Sequence, residues 1–175
     1  MVLTFLNPVE ILKQLNLTKE MTAADLGCGS GGWVIPLAQI LSEGIVYAVD
    51  IQESALSALS SKAAIANLQN IKKILANIEK NTLPLGENLC DLVLMTNLLF
   101  QLEDKKSAFA QAHRILKPGA MLLVVDWQEN AKMGPPAQHR VSDSVAQKMA
   151  EQNGFALQKK LDAGAYHYAL LFYKT

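Results

Sequence analysis

The stretch that decides the fold is Ala24-Asp25-Leu26-Gly27-Cys28-Gly29-Ser30-Gly31-Gly32-Trp33, ADLGCGSGGW, which sets four glycines within six residues just after an aspartate. Glycine at that density leaves a backbone bare enough for a ligand to approach or a tight turn to close. A short apolar run, Met21 to Leu26, leads into it, and a helical pattern, Gly32 to Leu41, leads away. The loop therefore joins a strand to a helix. Three readings of such a junction stay open at this point: a phosphate site, a site for a sulfonium-bearing nucleoside, or nothing but a tight turn.

Outward from the loop the same alternation repeats. Ile45 to Val49 reads as a strand closed by Asp50, Ser54 to Ala66 as a helix, and Ile71 to Ala76 as a third strand leading to the turn-rich Leu83-Pro84-Leu85-Gly86. Asp91 to Met95 then reads as a strand, Lys105 to Leu116 as an amphipathic helix, Lys117-Pro118-Gly119 as a turn, and Met121 to Asp126 as a strand. A short helix near Pro8 to Leu15 precedes them all. Strands alternating with helices call for right-handed crossovers and a mainly parallel sheet covered on both faces. The last third differs: after a helix from Ser142 to Asn153, the apolar runs Phe155 to Leu161 and Tyr166 to Tyr173 are separated only by Asp162-Ala163-Gly164-Ala165. That connection is too short for a crossover helix and predicts an antiparallel hairpin.

Composition removes several function classes. Half of the 175 residues are apolar, enough for one sizeable core, which predicts a single domain over 1–175. Sixteen basic residues balance sixteen acidic ones; the broad positive field of a nucleic-acid binder is missing, so no nucleic-acid partner is expected. Cys28 and Cys90 have neither metal-ligand spacing nor a disulfide framework, so no metal is expected and both read as reduced, buried residues. The opening Met1-Val2-Leu3-Thr4-Phe5-Leu6-Asn7-Pro8 has no signal-peptide pattern, and no uncharged stretch reaches the roughly 20 residues of a membrane span. A soluble, cytoplasmic chain without integral membrane contact is the expectation.

The loop itself can now be weighed. Gly27, Gly29 and Gly32 satisfy G-x-G-x-x-G after a strand and before a helix, as a dinucleotide fingerprint would, although that pattern alone is weak. A triphosphate loop is excluded, because no Gly-Lys-Ser or Gly-Lys-Thr closes it. Asp25 tips the balance: its carboxylate would repel a pyrophosphate and hold a cationic amino-acid group. Asp50 ends an apolar strand, a costly place for a carboxylate without a partner.

With these residues the chain resembles a class I S-adenosylmethionine-dependent methyltransferase of the type 11 group. The likeness runs in order through ADLGCGSGG, VYAVDI, ANIEKNTLPL, CDLVLMTNLLFQL and RILKPGAMLLVVDW. It implies a Rossmann-like three-layer α/β sandwich with a seven-stranded, mainly parallel sheet in the order 3-2-1-4-5-7-6, closed by the antiparallel hairpin. It also implies S-adenosylmethionine as cofactor, with S-adenosylhomocysteine as product. Gly27, Cys28, Gly29 and Gly31 would lie along the methionine part, and Asp25 would orient its ammonium. Asp50 would take both ribose hydroxyls, and Ile51 would lie against adenine. Asn77 and Ile78 stand where the family commonly has an aspartate for the adenine amino group, and Thr96 and Asn97 would floor the sulfonium. Ala120 departs from the family's usual Pro-Gly-Gly turn.

The reaction so implied is an in-line methyl displacement that needs little acid-base machinery. Where the acceptor is a hydroxyl or an acidic carbon, a base must take its proton, and His139, Arg140 and His167 are the candidates. The plainer reading of His139 is an exposed loop histidine, and of His167 a strand histidine packed in the sheet; His113 reads as surface. Trp127 and Asp126 end the fifth strand on the ligand-binding rim, and Leu98-Leu99-Phe100 offer an apolar wall or plain core. Only about twenty residues precede the first strand, so the acceptor cleft is expected to be open, suited to a small-molecule or lipid-like acceptor, or closed by a second subunit in a homodimer. TNLL stands where an amino-group methylase of nucleic acid would carry Asn-Pro-Pro-Tyr. The competing readings are an NAD-binding oxidoreductase and a catalytically idle nucleoside-binding protein.

Overall fold

The computed structural model describes residues 5–80 and 82–175. The expectations that rest on residues 1–4, and on Asn81 in the segment after the third strand, lie outside the described residues.

Seven strands form one sheet in the order β3-β2-β1-β4-β5-β7-β6: β1 Thr22–Leu26, β2 Ile45–Asp50, β3 Ile71–Leu75, β4 Cys90–Thr96, β5 Leu116–Trp127, β6 Phe155–Leu161 and β7 His167–Lys174. The first five pair in parallel, and β7 enters antiparallel between β5 and β6. The fold class and strand order are those the resemblance implied. Ala23 to Leu26, Leu92 to Thr96 and Met121 to Asp126 are buried without a break, as befits strands covered on both faces.

Helices α1 (Pro8–Leu12), α2 (Val34–Ile40) and α3 (Glu53–Ile65) cover one face, where Ile11, Leu12, Val34, Leu37, Leu56 and Leu59 join the strand residues Ala23, Ala48, Leu94, Leu123 and Leu171. Trp33 belongs to that cluster and packs helix against sheet. Helices α4 (Lys105–Ile115) and α5 (Asp143–Gln152) cover the other with Phe109, Ala112, Ile115, Ala146 and Ala150. Three of the five begin on a side-chain cap: Asn7, Asp104 and Ser142 each accept a hydrogen bond from a first-turn N–H.

Two local expectations need correction. Lys117-Pro118-Gly119 is not a separate turn before the strand; β5 runs from Leu116, which pairs with Cys90 across a register shift before Leu92 pairs with Met121. The extra residues form a bulge in which Gly119 takes φ +72, so they bend a strand rather than interrupt it. His113 is half-buried, with its ring edge-on to Phe155 at 5.4 Å. Burial and Lys174 lower its pKa.

Candidate functional site

Strand order reverses between β1 and β4, and in an open α/β sheet the crevice lies beyond the carboxyl ends of the strands at that switch point. A cleft of about 310 Å³ opens there, lined by Gly27, Gly29, Asp50, Ile51, Asn77 and Ile78 among others. Six of the eleven residues proposed from the sequence thus converge on one cavity, drawn from the ends of three strands.

The glycine loop takes its shape from backbone pairing. The N–H groups of Gly27 and Cys28 both donate to the Val49 carbonyl, at 2.8 and 2.9 Å, so the chain leaving β1 folds across the tip of β2. Gly27, Gly29 and Gly31 all have positive φ, at +74, +52 and +88. At Gly27 a β-carbon would meet Leu98 and at Gly31 it would meet Leu59, whereas at Gly29 it would meet nothing within 4 Å. Gly29 therefore leaves its backbone open on the cleft, while the other two let neighbouring leucines close in. Cys28 is buried, its thiol donating to the Gly29 carbonyl at 3.5 Å. Burial, with Asp25 and Asp50 nearby, raises the thiol's pKa and keeps it protonated.

Asp50 ties the loop to the next helix. One carboxylate oxygen accepts from the Gly29 N–H at 2.7 Å and the other from the Gln52 N–H at 2.9 Å. Each oxygen retains a lone-pair direction for a further donor. Ile51 beside it is 61% exposed, an apolar side chain presented at the mouth. Asn77 accepts from the Glu79 N–H through its side-chain oxygen, which leaves its amide N–H₂ for a ligand. Ile78 is buried.

Asp25 is placed at an energetic cost. It has no exposed surface, and neither carboxylate oxygen has a hydrogen-bond partner among the described residues. Burial first, and repulsion from Asp50 second, push its pKa up to about 7. A carboxylate so placed calls for a cation or a strong donor. An S-adenosyl nucleoside fits these residues on that count: Asp25 offers a counter-charge for an ammonium, Asp50 two acceptor oxygens for a diol, and Gly29 a bare backbone between them.

Asp25, Cys28 and Gly31 do not line the cleft, and the other proposed residues lie apart from it as well. Thr96 is buried at the end of β4, and Asn97 adopts φ +51 with its side-chain oxygen buried and unpartnered. His139 is exposed in a short 3-10 turn. Arg140 spends its guanidinium on the carbonyls of Gln128, Glu129, Ala131, Met133 and Pro135, holding the loop after β5 together. His167 is buried at the start of β7, its ring tilted 41° against that of Trp127 with ring centroids 4.0 Å apart. Asp126, weighed for the acceptor rim, is instead buried, and accepts from the N–H groups of Leu99 and Trp127 at 2.8 Å each. Burial outweighs those bonds and raises its pKa to about 6.

Sequence reasoning assigned no cofactor role to Gln52, Glu79, Leu98, Gln101 or Leu102, which also line the cleft. Gln52 and Leu98 fall just past a strand end, the signal that could have marked them; Glu79, Gln101 and Leu102 lie further along their loops and carry no such signal. Glu79 accepts from the Asp104 N–H at 2.6 Å and Gln101 donates to the Asn97 carbonyl at 2.7 Å, so the loops after β3 and β4 are clasped around one end of the cavity. Among the described residues no group of His, Cys, Asp and Glu could hold a metal ion, and no helix is long and apolar enough to cross a membrane.

Fold and site together define an α/β protein with a cleft at its switch point. Residues 24–124 match the family model described as a methyltransferase domain. The chain belongs to that family, the class I S-adenosylmethionine-dependent methyltransferases. Demethylmenaquinone methyltransferase of Geobacillus kaustophilus is 29% identical over 126 residues, 71% of this chain and 53% of that protein. The enzyme of the same name from Staphylococcus epidermidis is 32% identical over 117 residues, 66% and 47% of the two chains. The chain thus spans about half the length of the curated relatives it matches. A SAM-dependent methyltransferase from Aquifex aeolicus superposes with a TM-score of 0.89 at 25% identity, over 98% of this chain and 91% of that one. A phosphoethanolamine N-methyltransferase from Haemonchus contortus, solved with S-adenosylhomocysteine, shares the fold, with a TM-score of 0.78 at 13% identity over 95% of this chain and 52% of that one.

Proposed function

We propose that this chain transfers a methyl group from S-adenosylmethionine to a small, lipid-like acceptor bearing a quinone-type ring, with residues 1–175 acting as one methyltransferase domain. The observation that carries the reading is the buried, unpartnered carboxylate of Asp25 two residues before the glycine that lines the cleft. A pyrophosphate would be repelled there, which disfavours a nicotinamide dinucleotide; an ammonium would be held.

Asp25 would take the ammonium of the cofactor, Asp50 its ribose hydroxyls, Ile51 and Ile78 the adenine faces, and Asn77 the adenine edge. Gly27, Cys28, Gly29 and Gly31 would form the turn around its methionine part, with Thr96 and Asn97 beneath the sulfur. When bound, the cofactor would supply a methyl group activated by its positive sulfur; transfer to the reduced, quinol form of the ring would leave S-adenosylhomocysteine and release one proton to water. The protein's part is to hold two reactants at attacking distance, worth about 7 to 11 kcal/mol of barrier in well-oriented systems. The quinone-type acceptor rests on the relatives named for demethylmenaquinone.

Two measurements test the proposal. Calorimetric titration should show S-adenosylhomocysteine binding and no NADH binding; the reverse would make the protein an oxidoreductase. Label from methyl-labelled S-adenosylmethionine should appear in a demethylated quinol, and full cofactor occupancy without transfer would mark an idle binding protein.

A further inference from the structure

Strand registers place the cofactor aspartate and a distant aromatic pair on one face of the sheet. Asp25 pairs with Leu94 across β1 and β4, Thr96 with Val125 across β4 and β5, and Trp127 with His167 across β5 and β7. Alternate residues along a strand share a face, so Asp25, Thr96, Trp127 and His167 all project from the side that α1 and α2 cover. Each step from Asp25 to Thr96 to Trp127 moves one strand sideways and two residues toward the rim. The line is about 16 Å from first to last by ordinary strand spacings.

At its far end stands a prepared platform. Trp127 is half-buried, and a β-carbon on Gly134 would come within 2.5 to 2.7 Å of its indole, so the loop backbone lies flat against that ring. Arg140 holds the loop in place through its five carbonyl contacts. The indole also contacts the His167 imidazole at 4.0 Å. His167 is 6% exposed, and both ring nitrogens are buried without a partner among the described residues. Its backbone is satisfied, since Gln128 donates a side-chain N–H to the His167 carbonyl at 3.0 Å; the ring is not. Burial lowers its pKa to about 4, so the imidazole is neutral and offers one donor and one acceptor. Leaving both unused is unfavourable, and a ligand oxygen would satisfy either.

Resting on the methyl-transfer reading above, we infer that Trp127 and His167 form the acceptor subsite, Trp127 supporting a planar ring and His167 hydrogen-bonding an oxygen carried on that ring. Binding requires the buried imidazole to turn one nitrogen toward the exposed part of the indole, which stays in place. The occupant is a hydroxylated or carbonyl-bearing aromatic ring, and His167 positions it rather than taking its proton.

The test uses naphthohydroquinone as probe. The chain has only two tryptophans, so Trp33→Phe leaves Trp127 as the single indole reporter. The probe should quench its emission with saturation, and adding His167→Phe should weaken that binding at least tenfold. In steady-state transfer to the same probe, His167→Phe should raise KM at least tenfold with little change in kcat, and His167→Gln should restore part of it. S-adenosylhomocysteine affinity should stay within about twofold in every variant. Absence of saturable quenching, or an unmoved KM in both His167 variants with the homocysteine nucleoside still bound, overturns the subsite. Failure of the wild-type protein to bind S-adenosylhomocysteine would instead defeat the methyltransferase reading itself. If His167→Phe does not fold, His167→Gln decides by the same quenching and KM measurements, and Trp127→Phe by KM alone.

Discussion

Leu98 rests on Gly27: a side-chain methyl lies 2.6 Å from where a β-carbon on that glycine would stand. The turn after β4 and the loop after β1 are thereby interlocked at the cleft wall, and Asp126 keeps the lock in register by accepting from the Leu99 N–H. Gly27→Ala should cost about 1 to 3 kcal/mol, because φ +74 is strained for alanine and Leu98 must move as well. Denaturant unfolding measures the loss. Combining it with Leu98→Ala should cost less than the two single changes summed, since one removes the obstacle to the other.

Asp25 carries a pH signature. Its folded pKa, about 7 against 3.8 for the free group, means the folded state binds that proton more tightly. Its relative contribution to stability is greatest below the unfolded pKa and is lost as pH rises through 7. Asp25→Asn should stabilise the ligand-free protein by up to about 4 kcal/mol near pH 8 and make little difference near pH 4. Its affinity for S-adenosylmethionine should fall at both. Melting curves at the two pH values, with and without ligand, check both halves; equal curves near pH 8 would refute the buried-charge account.

Asp50→Ala removes the acceptor for the Gly29 and Gln52 N–H groups as well as the proposed ribose contact. Cofactor affinity should weaken by about 1.5 to 3 kcal/mol, the range for hydrogen bonds to a charged group. Calorimetry with S-adenosylhomocysteine would show it.

Arg140 and His139 should separate cleanly although they are neighbours. Arg140→Met strips five carbonyls of their donor and should open the loop over 128–140 to limited proteolysis. Arg140→Lys should fail to rescue it, because an ammonium cannot reproduce the planar fork. His139→Ala, at an exposed turn, should leave cutting unchanged.

His167 supplies an acid limb. Its folded pKa lies near 4, below the usual 6.5, so the stability it contributes is present above 6.5 and is lost as pH falls through 4. Between those values His167→Phe should flatten the decline of unfolding free energy by about 1 to 3 kcal/mol. A decline as steep as that of the wild-type protein would place the acid sensitivity elsewhere.

The alternation of strands and helices and the closing hairpin were legible because their signals are local: Gly27 to Gly32 after an apolar run, Asp50 closing another, and four residues between the last two apolar runs; the strand order itself came only with the family resemblance. The same locality made Asp25, Gly29 and Asp50 readable, since each ends a strand or turns the chain. Gln101 and Glu79 were not, because their relevance arises only when the loops after β3 and β4 meet. Arg140 shows the limit in the other direction. A cationic side chain in a ligand-side loop suggested chemistry, yet its donors are spent on its own backbone, and only a hydrogen-bond inventory shows that. The bulge at Lys117-Pro118-Gly119 has turn composition, and only pairing with Cys90 turns it into strand.

The outermost members of the sheet, β3 and β6, each expose two successive lysines, Lys72 with Lys73 and Lys159 with Lys160. Successive strand residues point to opposite sides, so ammonium groups guard both surfaces of each margin. A strand from another chain docking there would have to desolvate them. A sheet whose interior strands are this apolar is thereby protected from growing sideways into fibrils.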